Sequence, residues 1–494
     1  MREKIKKYAM PAVSLLMVIL YPCLFMYFQN VDEGYFTDIL PAVGKFLLLA
    51  AAFFGFAMIF LRDYKKSILF SELAMLVAMN FNTILNGLRN ILVGFPRIAF
   101  VAIVVVIFLG ILFLEKKKLK DAHELCKILG LVFGILIAVN LVMAMPDVIQ
   151  KVTHTSASVD EAISEQKFTK ETPNVYYLLY DEYGGFENIE RYYDYDNAVF
   201  AEFLEAEGFT YSVSAKNTEA IYTTTVVPNL MNLSYVASDT IYSIDNLTML
   251  ENAQMIQLFR NNGYEVNLIN HTNLMSSLGC NVLNSDSEEE SLSSYVLEKS
   301  IFWDIDELVD RIVIKVTGKD TSYVATCQEA ISLIESCSDY VSESKPTFTI
   351  GYLNLPHAPL IFRADGSVRP ESEWYNWEDK SMYLEQYKYI TSHIMKAVSN
   401  IKAADPDALI FVQSDHGNRY PHWMVYNYDW EMYAYDEEIP YMTNMMNCVY
   451  YKGETFDIEG LTGINTLRTV FNEVLGTNFE MVYTDDKPIV ETAY

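Results

Sequence analysis

The chain has 494 residues, 51% of them hydrophobic, and a formal net charge of −28. So negative a protein is a poor match for nucleic acid, whose binding is dominated by phosphate contacts. Six cysteines without any Cys-x-x-Cys spacing speak against a thiolate zinc site.

The charge is unevenly spread. Residues 1–150 carry 15 Lys+Arg against 10 Asp+Glu, a net of +5, so the remaining 21 against 54 leave −33 for residues 151–494. The N-terminal part is also the apolar part. Five stretches approach the roughly 20 residues that a bilayer crossing needs: Ala9–Phe28, Ile39–Leu61, Ile68–Leu88, Ile98–Leu114 and Leu125–Met145. Glu72, Asn80, Asn82 and Asn86 interrupt the third. Basic residues cluster before the first span (Arg2, Lys4, Lys6, Lys7), between the second and third (Arg62, Lys65, Lys66) and between the fourth and fifth (Lys116, Lys117, Lys118, Lys120). By the positive-inside rule the N-terminus is cytoplasmic, and an odd number of spans puts everything after Met145 outside. Four further hydrophobic segments after the first argue against a cleaved signal peptide. The expected organisation is a transmembrane domain over 1–148, a polar linker over 149–172 and an extracytoplasmic domain over 173–494.

Beyond Pro173 strands and helices alternate. Strands are expected at Val175–Tyr180, Phe209–Val213, Tyr264–Ile269, Thr347–Leu353 and Ala408–Val412. Helices are expected at Asn197–Gly208, Leu250–Asn261 and Lys380–Ala404, with an acidic, serine-rich loop at Asn284–Ser294. This alternation predicts an α/β domain with a mainly parallel sheet covered by helices on both faces. Outside the cytosol a Cys327–Cys337 disulfide is compatible with the spacing.

Two of the apolar strands stop abruptly on chemistry. Val175–Tyr180 runs into Asp181-Glu182, and Ala408–Val412 runs through Gln413-Ser414 into Asp415-His416-Gly417. Ligands of α/β sheets bind beyond the carboxyl ends of strands, and carboxylates with an imidazole form part of a divalent metal site. Between them lies Thr223-Thr224-Thr225, either a β-prone run or the source of a threonine nucleophile that a metal activates.

The order strand–Asp181, Thr223, Leu353-Asn354-Leu355-Pro356-His357-Ala358-Pro359 and Ser414-Asp415-His416-Gly417 resembles the sulfatase-like branch of the alkaline phosphatase superfamily. Five spans before the outer domain make it similar to that branch's membrane phosphotransferases, the lipoteichoic acid synthases and phosphoethanolamine transferases. The segment Asn465–Thr477 adds to this likeness, which covers nearly the whole chain. The resemblance implies metal ligation by Asp181, Thr223, Asp415 and His416. It implies Thr223 as nucleophile, because Pro228 follows five residues later, with Thr224 as the alternative. His357 and His422 match substrate-side histidines; Glu182 and Arg419 are weaker supporting positions. The implied metal is zinc, or else manganese or magnesium.

The implied reaction moves a glycerol-phosphate or phosphoethanolamine type head group from a membrane phospholipid to an envelope glycan or teichoic-type acceptor, at a bacterial cell membrane. The alternatives are an extracytoplasmic phosphate- or sulfate-ester hydrolase, or a non-catalytic ectodomain binding envelope polymer through its tyrosines. Two departures matter. No Cys or Ser followed by x-Pro-x-Arg surrounds Thr223, which argues against formylglycine sulfatase chemistry, and the cysteine pairs of Gram-negative phosphoethanolamine transferases are missing.

Overall fold

The computed structural model describes the chain except residues 1, 32–33, 93, 118–120, 154–161, 218–221, 237–248, 252, 272, 284–291, 318–321, 377–378, 421–434 and 484–494. It divides into two compact units. One comprises Met1–Thr155 with Glu288–Asp320; the other comprises Ser156–Ser287 with Thr321–Tyr494.

The first unit is helical: α1 (Arg2–Gln29), α2 (Leu40–Leu61), α3 (Tyr64–Met79), α4 (Phe81–Ile91), α5 (Arg97–Lys117) and α6 (Ala122–Thr153). Among the described residues four helical segments are long and apolar enough to cross a membrane, and they correspond to the expected first, second, fourth and fifth spans. The expected third span is different. It is the pair α3 and α4, bent by 58° at their junction, which makes a fifth crossing only if the two count as one. The break falls at Asn80, whose side chain bonds back to the Leu76 carbonyl at 2.9 Å, a local alternative to continuing the helix. α1 and α6 approach closely: a Cβ on Gly130 would lie 3.0 Å from the Ser14 Cα, the use of small residues that membrane helix pairs favour.

The second unit is built on a seven-stranded sheet, and its elements begin with β1 (Val175–Tyr180), α7 (Phe186–Tyr193), α8 (Ala198–Ala206), β2 (Thr210–Tyr211), α9 (Thr223–Asn232), α10 (Gln254–Asn261), β3 (Glu265–Asn270) and β4 (Asn281–Val282). The chain then contributes α11 (Leu292–Glu298) and α12 (Ile301–Thr317) to the helical unit. Of the expected acidic loop, residues 284–291 lie outside the described residues, and Leu292–Ser294 open α11. The second unit resumes with α13 (Tyr323–Glu335), β5 (Thr347–Leu353), α14 (Lys380–Ala404), β6 (Leu409–Ser414), α15 (Tyr435–Met442), β7 (Asn447–Tyr450) and α16 (Gly463–Val470).

The strand order is β2-β7-β6-β1-β5-β3-β4. β6, β1, β5, β3 and β4 are mutually parallel, whereas β7 is reversed and makes antiparallel pairs with β6 on one side and the edge strand β2 on the other, so the sheet is mixed rather than purely parallel. Every residue of β1 is buried. Alternate side chains enter two cores. Val175, Tyr177 and Leu179 pack with Val226 and Leu230 of α9 and Leu467 of α16, while Tyr176, Leu178 and Tyr180 pack with Ile331 of α13 and Ile390 of α14. A strand sandwiched this way loses the polar alternation of a half-exposed one, which is why it reads as a continuous apolar run. All six cysteines are free, so the Cys327–Cys337 bridge is not formed; Cys327 instead lies against the ring of His271 at 3.1 Å.

Candidate active site

β1 and β6 are parallel neighbours in a register that pairs Tyr180 with Ser414. The next residue of each strand is therefore Asp181 and Asp415, and two residues 234 positions apart emerge side by side at the carboxyl end of the sheet. The backbone locks them there: Asp415 N donates to Tyr180 O at 3.3 Å, and Asp181 N to Leu353 O, at the end of β5, at 3.0 Å. Close packing around the bend after His416 makes glycine sterically necessary at position 417. A Cβ there would meet Asn444 O at 2.5 Å and Met442 O at 2.8 Å, neither of which is a flexible side chain.

The Thr-Thr-Thr run is a helix start, not a strand: Thr223 is the first residue of α9, after Tyr222 as N-cap. Its Oγ1 donates to Asp181 Oδ1 at 3.3 Å and lies 3.5 Å from His416 Nε2. His416 Nε2 is 3.4 Å from Asp415 Oδ2 and 3.8 Å from Asp181 Oδ1. One ligand atom from each of Asp181, Asp415 and His416 fits within a mutual 4.8 Å, and all three residues are buried. Thr224, the alternative nucleophile, sits one residue further into α9 and is partly buried. His422 lies outside the described residues.

The protonation pattern suits a cation. His416 Nδ1 donates to Gly417 O at 2.8 Å, so Nε2 presents its lone pair to the carboxylates. Burial and then Arg419 push the imidazole down to about 4, keeping it neutral. Burial raises both Asp181 and Asp415 above the usual carboxylate range, and for Asp181 the second cause is the charge of Asp415. Asp415 Oδ1 accepts from the backbone N–H groups of Glu182 and His416 at 3.0 and 2.8 Å, but Oδ2 has no hydrogen-bond donor among the described residues. Two buried carboxylates, an orphaned oxygen and a neutral imidazole lone pair fit a divalent metal, because a cation offsets both the desolvation and the mutual repulsion.

Beside this cluster lies a second one. Glu182, fully buried and in the left-handed region at φ 57°, accepts from Arg419 N at 2.8 Å and from Asn418 Nδ2 at 3.3 Å. Its Oε1 is 3.5 Å from Arg419 Nε. Burial alone would raise the Glu182 carboxyl, yet Arg419 and His357 bring it below the usual value. Arg419 Nη2 donates to His357 Nε2 at 2.9 Å and its Cζ stands 5.6 Å from the Tyr222 ring. His357 Nδ1 donates to Ala358 O at 2.7 Å, which assigns the Nδ1–H tautomer and leaves Nε2 as the acceptor.

No family model matches the chain, and no curated protein does. Among solved structures it is similar to the C-terminal periplasmic domain of EcEptC from Escherichia coli, at 11% identity and TM-score 0.39, over 64% of this chain and 85% of that one. It is similar to the lipoteichoic acid synthase LtaP from Listeria monocytogenes, at 12% identity and TM-score 0.39, over 68% and 78%. It is also similar to a protein in the alkaline phosphatase superfamily from Vibrio parahaemolyticus, at 11% and 0.38, over 63% and 68%.

Sequence reasoning missed the residues that brace the site. Tyr352 on β5 donates from its hydroxyl to Asp181 Oδ2 at 3.1 Å, and Asn217 Nδ2 donates to Asp415 O at 2.9 Å. Asn188 Nδ2 ties Asn418 O to Tyr441 O at 2.9 Å each, and Asn444 Oδ1 accepts from Asn188 N at 3.0 Å. A tyrosine in an apolar strand and isolated asparagines carry no pattern that a single sequence distinguishes from ordinary core and loop residues.

Proposed function

We propose that the chain is a membrane-anchored, metal-dependent phosphotransferase that moves a phospholipid head group to a cell-envelope acceptor through a phospho-threonine at Thr223. The observation that carries this reading is the meeting of the Thr223 hydroxyl with Asp181 and His416 at the first residue of α9. A helix N-terminus favours an anion by its dipole, so a phosphoryl group drawn to Thr223 gains a site of suitable sign. Asp181, Asp415 and His416, with Thr223 Oγ1, would hold the cation; their oxygen and nitrogen donors suit zinc, with manganese or magnesium as alternatives. When bound, the ion lowers the pKa of the threonine hydroxyl and neutralises charge on the phosphoryl oxygens.

The residues then divide the work. Thr223 Oγ1 forms a bond to phosphorus as the phosphorus–oxygen bond to the lipid breaks, and its proton leaves to solvent. The departing lipid oxygen takes up a proton from solvent, while His357 Nε2 accepts from Arg419 Nη2 at 2.9 Å and keeps the guanidinium oriented. In the second half an acceptor hydroxyl on an envelope glycan or teichoic-type polymer attacks the same phosphorus, and Thr223 leaves and regains its proton. The head group is of glycerol-phosphate or phosphoethanolamine type. The spans, five with the N-terminus cytoplasmic, tether the α/β unit outside the cell and raise the effective concentration of lipid donor.

The test is mass spectrometry of the purified protein after incubation with membranes. The expected result is a phospho-head-group adduct on the peptide 217–233, absent from Thr223→Ala. An unmodified peptide in an active preparation overturns covalent transfer, and free head group without acceptor-bound product selects the hydrolase.

A further inference from the structure

α12 belongs to the helical unit although it is inserted between β4 and β5 of the other. Its start is fastened to one end of the bundle. Asn82 Nδ2 donates to Glu298 O and Ser300 O at 3.0 Å each, and Ser293 Oγ accepts from Ala42 N at 3.0 Å. Lys45 Nζ meets Asp306 Oδ2 at 2.8 Å, and Phe302 lies 5.9 Å from Phe46, ring to ring. Ile301 packs against Phe81, Leu85 and Phe100. The partners in α2 and α5 sit near the starts of those helices, so α12 begins at the rim where α2 and α5 begin.

Past that anchor the helix has an apolar stripe that is exposed among the described residues. Ile305, Leu308, Val309, Ile312 and Val316 recur at i, i+3, i+4, i+7 and i+11 and are 38% to 78% exposed. That spacing places them on one side of a helix. Trp303, also exposed, lies outside the stripe. The lipid-facing belt is continuous with this rim: Leu40 at the start of α2 and Ile98 at the start of α5 are exposed as well.

We propose that α12 is an in-plane interfacial helix whose stripe is buried in the outer leaflet at the border of head groups and acyl chains. A second copy of the chain would need a complementary polar rim, whereas a bilayer edge meets every such stripe at the depth where the spans begin. The α/β unit's chain would then be held to the lipid surface within its own sequence as well as through its N-terminal side. The inference rests on the membrane-embedded reading of the helical unit, not on which group is transferred.

The experiment places a photoreactive benzophenone side chain at Leu308, Ile312, Glu307 or Arg311 of the full chain in native membrane vesicles, with Val105 on α5, 51% exposed, as the lipid-facing control. Lipid adducts at Leu308 and Ile312, several-fold above those at Glu307 and Arg311, are expected. Lipid adducts at Val105 but protein crosslinks, or none, at Ile312 overturn the inference alone, and crosslinks to a second copy do so in favour of a dimer. Equal yields on both sides of the helix also overturn it. No lipid adduct at Val105 overturns the membrane reading beneath it.

Discussion

At the scale of single residues the proposed reaction divides the site into groups that would meet the reacting atoms and groups that would hold them. Thr223 belongs to the first. Thr223→Ala is expected to lower transfer by about 10³-fold or more, as loss of a nucleophile does, while Thr224→Ala leaves turnover within a few-fold; assays of acceptor labelling check both. A collapse on Thr224→Ala alone would reassign the nucleophile. Glu182 belongs to the second group. Its buried carboxylate neutralises Arg419, so Glu182→Gln strands a buried guanidinium and should cost about 3 kcal/mol in urea unfolding. Arg419→Lys tests the same array from the other side. An ammonium cannot reach His357 while keeping the Glu182 contacts, so kcat/KM is expected to fall by roughly 10-fold or more with little change in unfolding midpoint.

At the scale of elements, the determining fact is that β1 and β6 are parallel neighbours in equal register. Moving either strand by one residue would turn Asp181 or Asp415 to the other face of the sheet. The loops beyond the strand ends have no such register and depend on packing. Gly417 is where this can be checked: Gly417→Ala drives a Cβ into the Asn444 and Met442 carbonyls. It should cost about 1–3 kcal/mol as overpacking and displace His416. Isothermal titration with zinc should then show weakened binding relative to the unsubstituted protein. Retained affinity would mean that the turn can relax without moving the imidazole.

At the scale of the whole molecule, two measurements separate the site's contribution to stability from the core's. A cation bound at 100 times its dissociation constant stabilises by about 2.7 kcal/mol, so chelation should lower the unfolding temperature, and Asp415→Asn should abolish that difference. Acid sensitivity has a separate source in His271, which is 2% exposed and whose pKa burial lowers to about 4 from 6.5. The unfolded chain binds this proton between pH 6.5 and 4 and the native state does not. Stability is therefore complete above pH 6.5 and falls as the pH drops, by about 3 kcal/mol over the window. His271→Gln should flatten that slope in urea titrations across pH 4 to 7; an unchanged slope would place the sensitivity elsewhere.

Much of this was legible without coordinates because strong local patterns govern it. The four uninterrupted spans announce themselves by length, and β1, β5 and β6 by unbroken apolar runs, since a strand buried on both faces tolerates nothing else. Asp181, Asp415 and His416 were visible as strand ends. The bend between α3 and α4 was foreshadowed by Asn80, Asn82 and Asn86, but its angle depends on packing. The antiparallel edge was not legible, because β2 and β7 are short and their direction is set by their pairing. Thr223–Thr225 was open between strand and active residue because threonine's intrinsic preference is for strands. The helix that holds it is fixed by burial of Val226, Val227 and Leu230 against the sheet. Helices α11 and α12 went unassigned for a similar reason: their membership in the helical unit comes from contacts with residues some 250 positions away, such as Ala42 with Ser293.

The sequence by itself determined what each segment is made to bury and where the ionisable groups fall along it, because hydrophobic period and strand-end chemistry act over a few neighbouring residues. Only the tertiary structure decided which of those groups meet. The convergence of residues 181, 223, 357, 415 and 419 follows from parallel strand pairing, one helix docked on the sheet and a few asparagine-braced loops, none of which leaves a local trace.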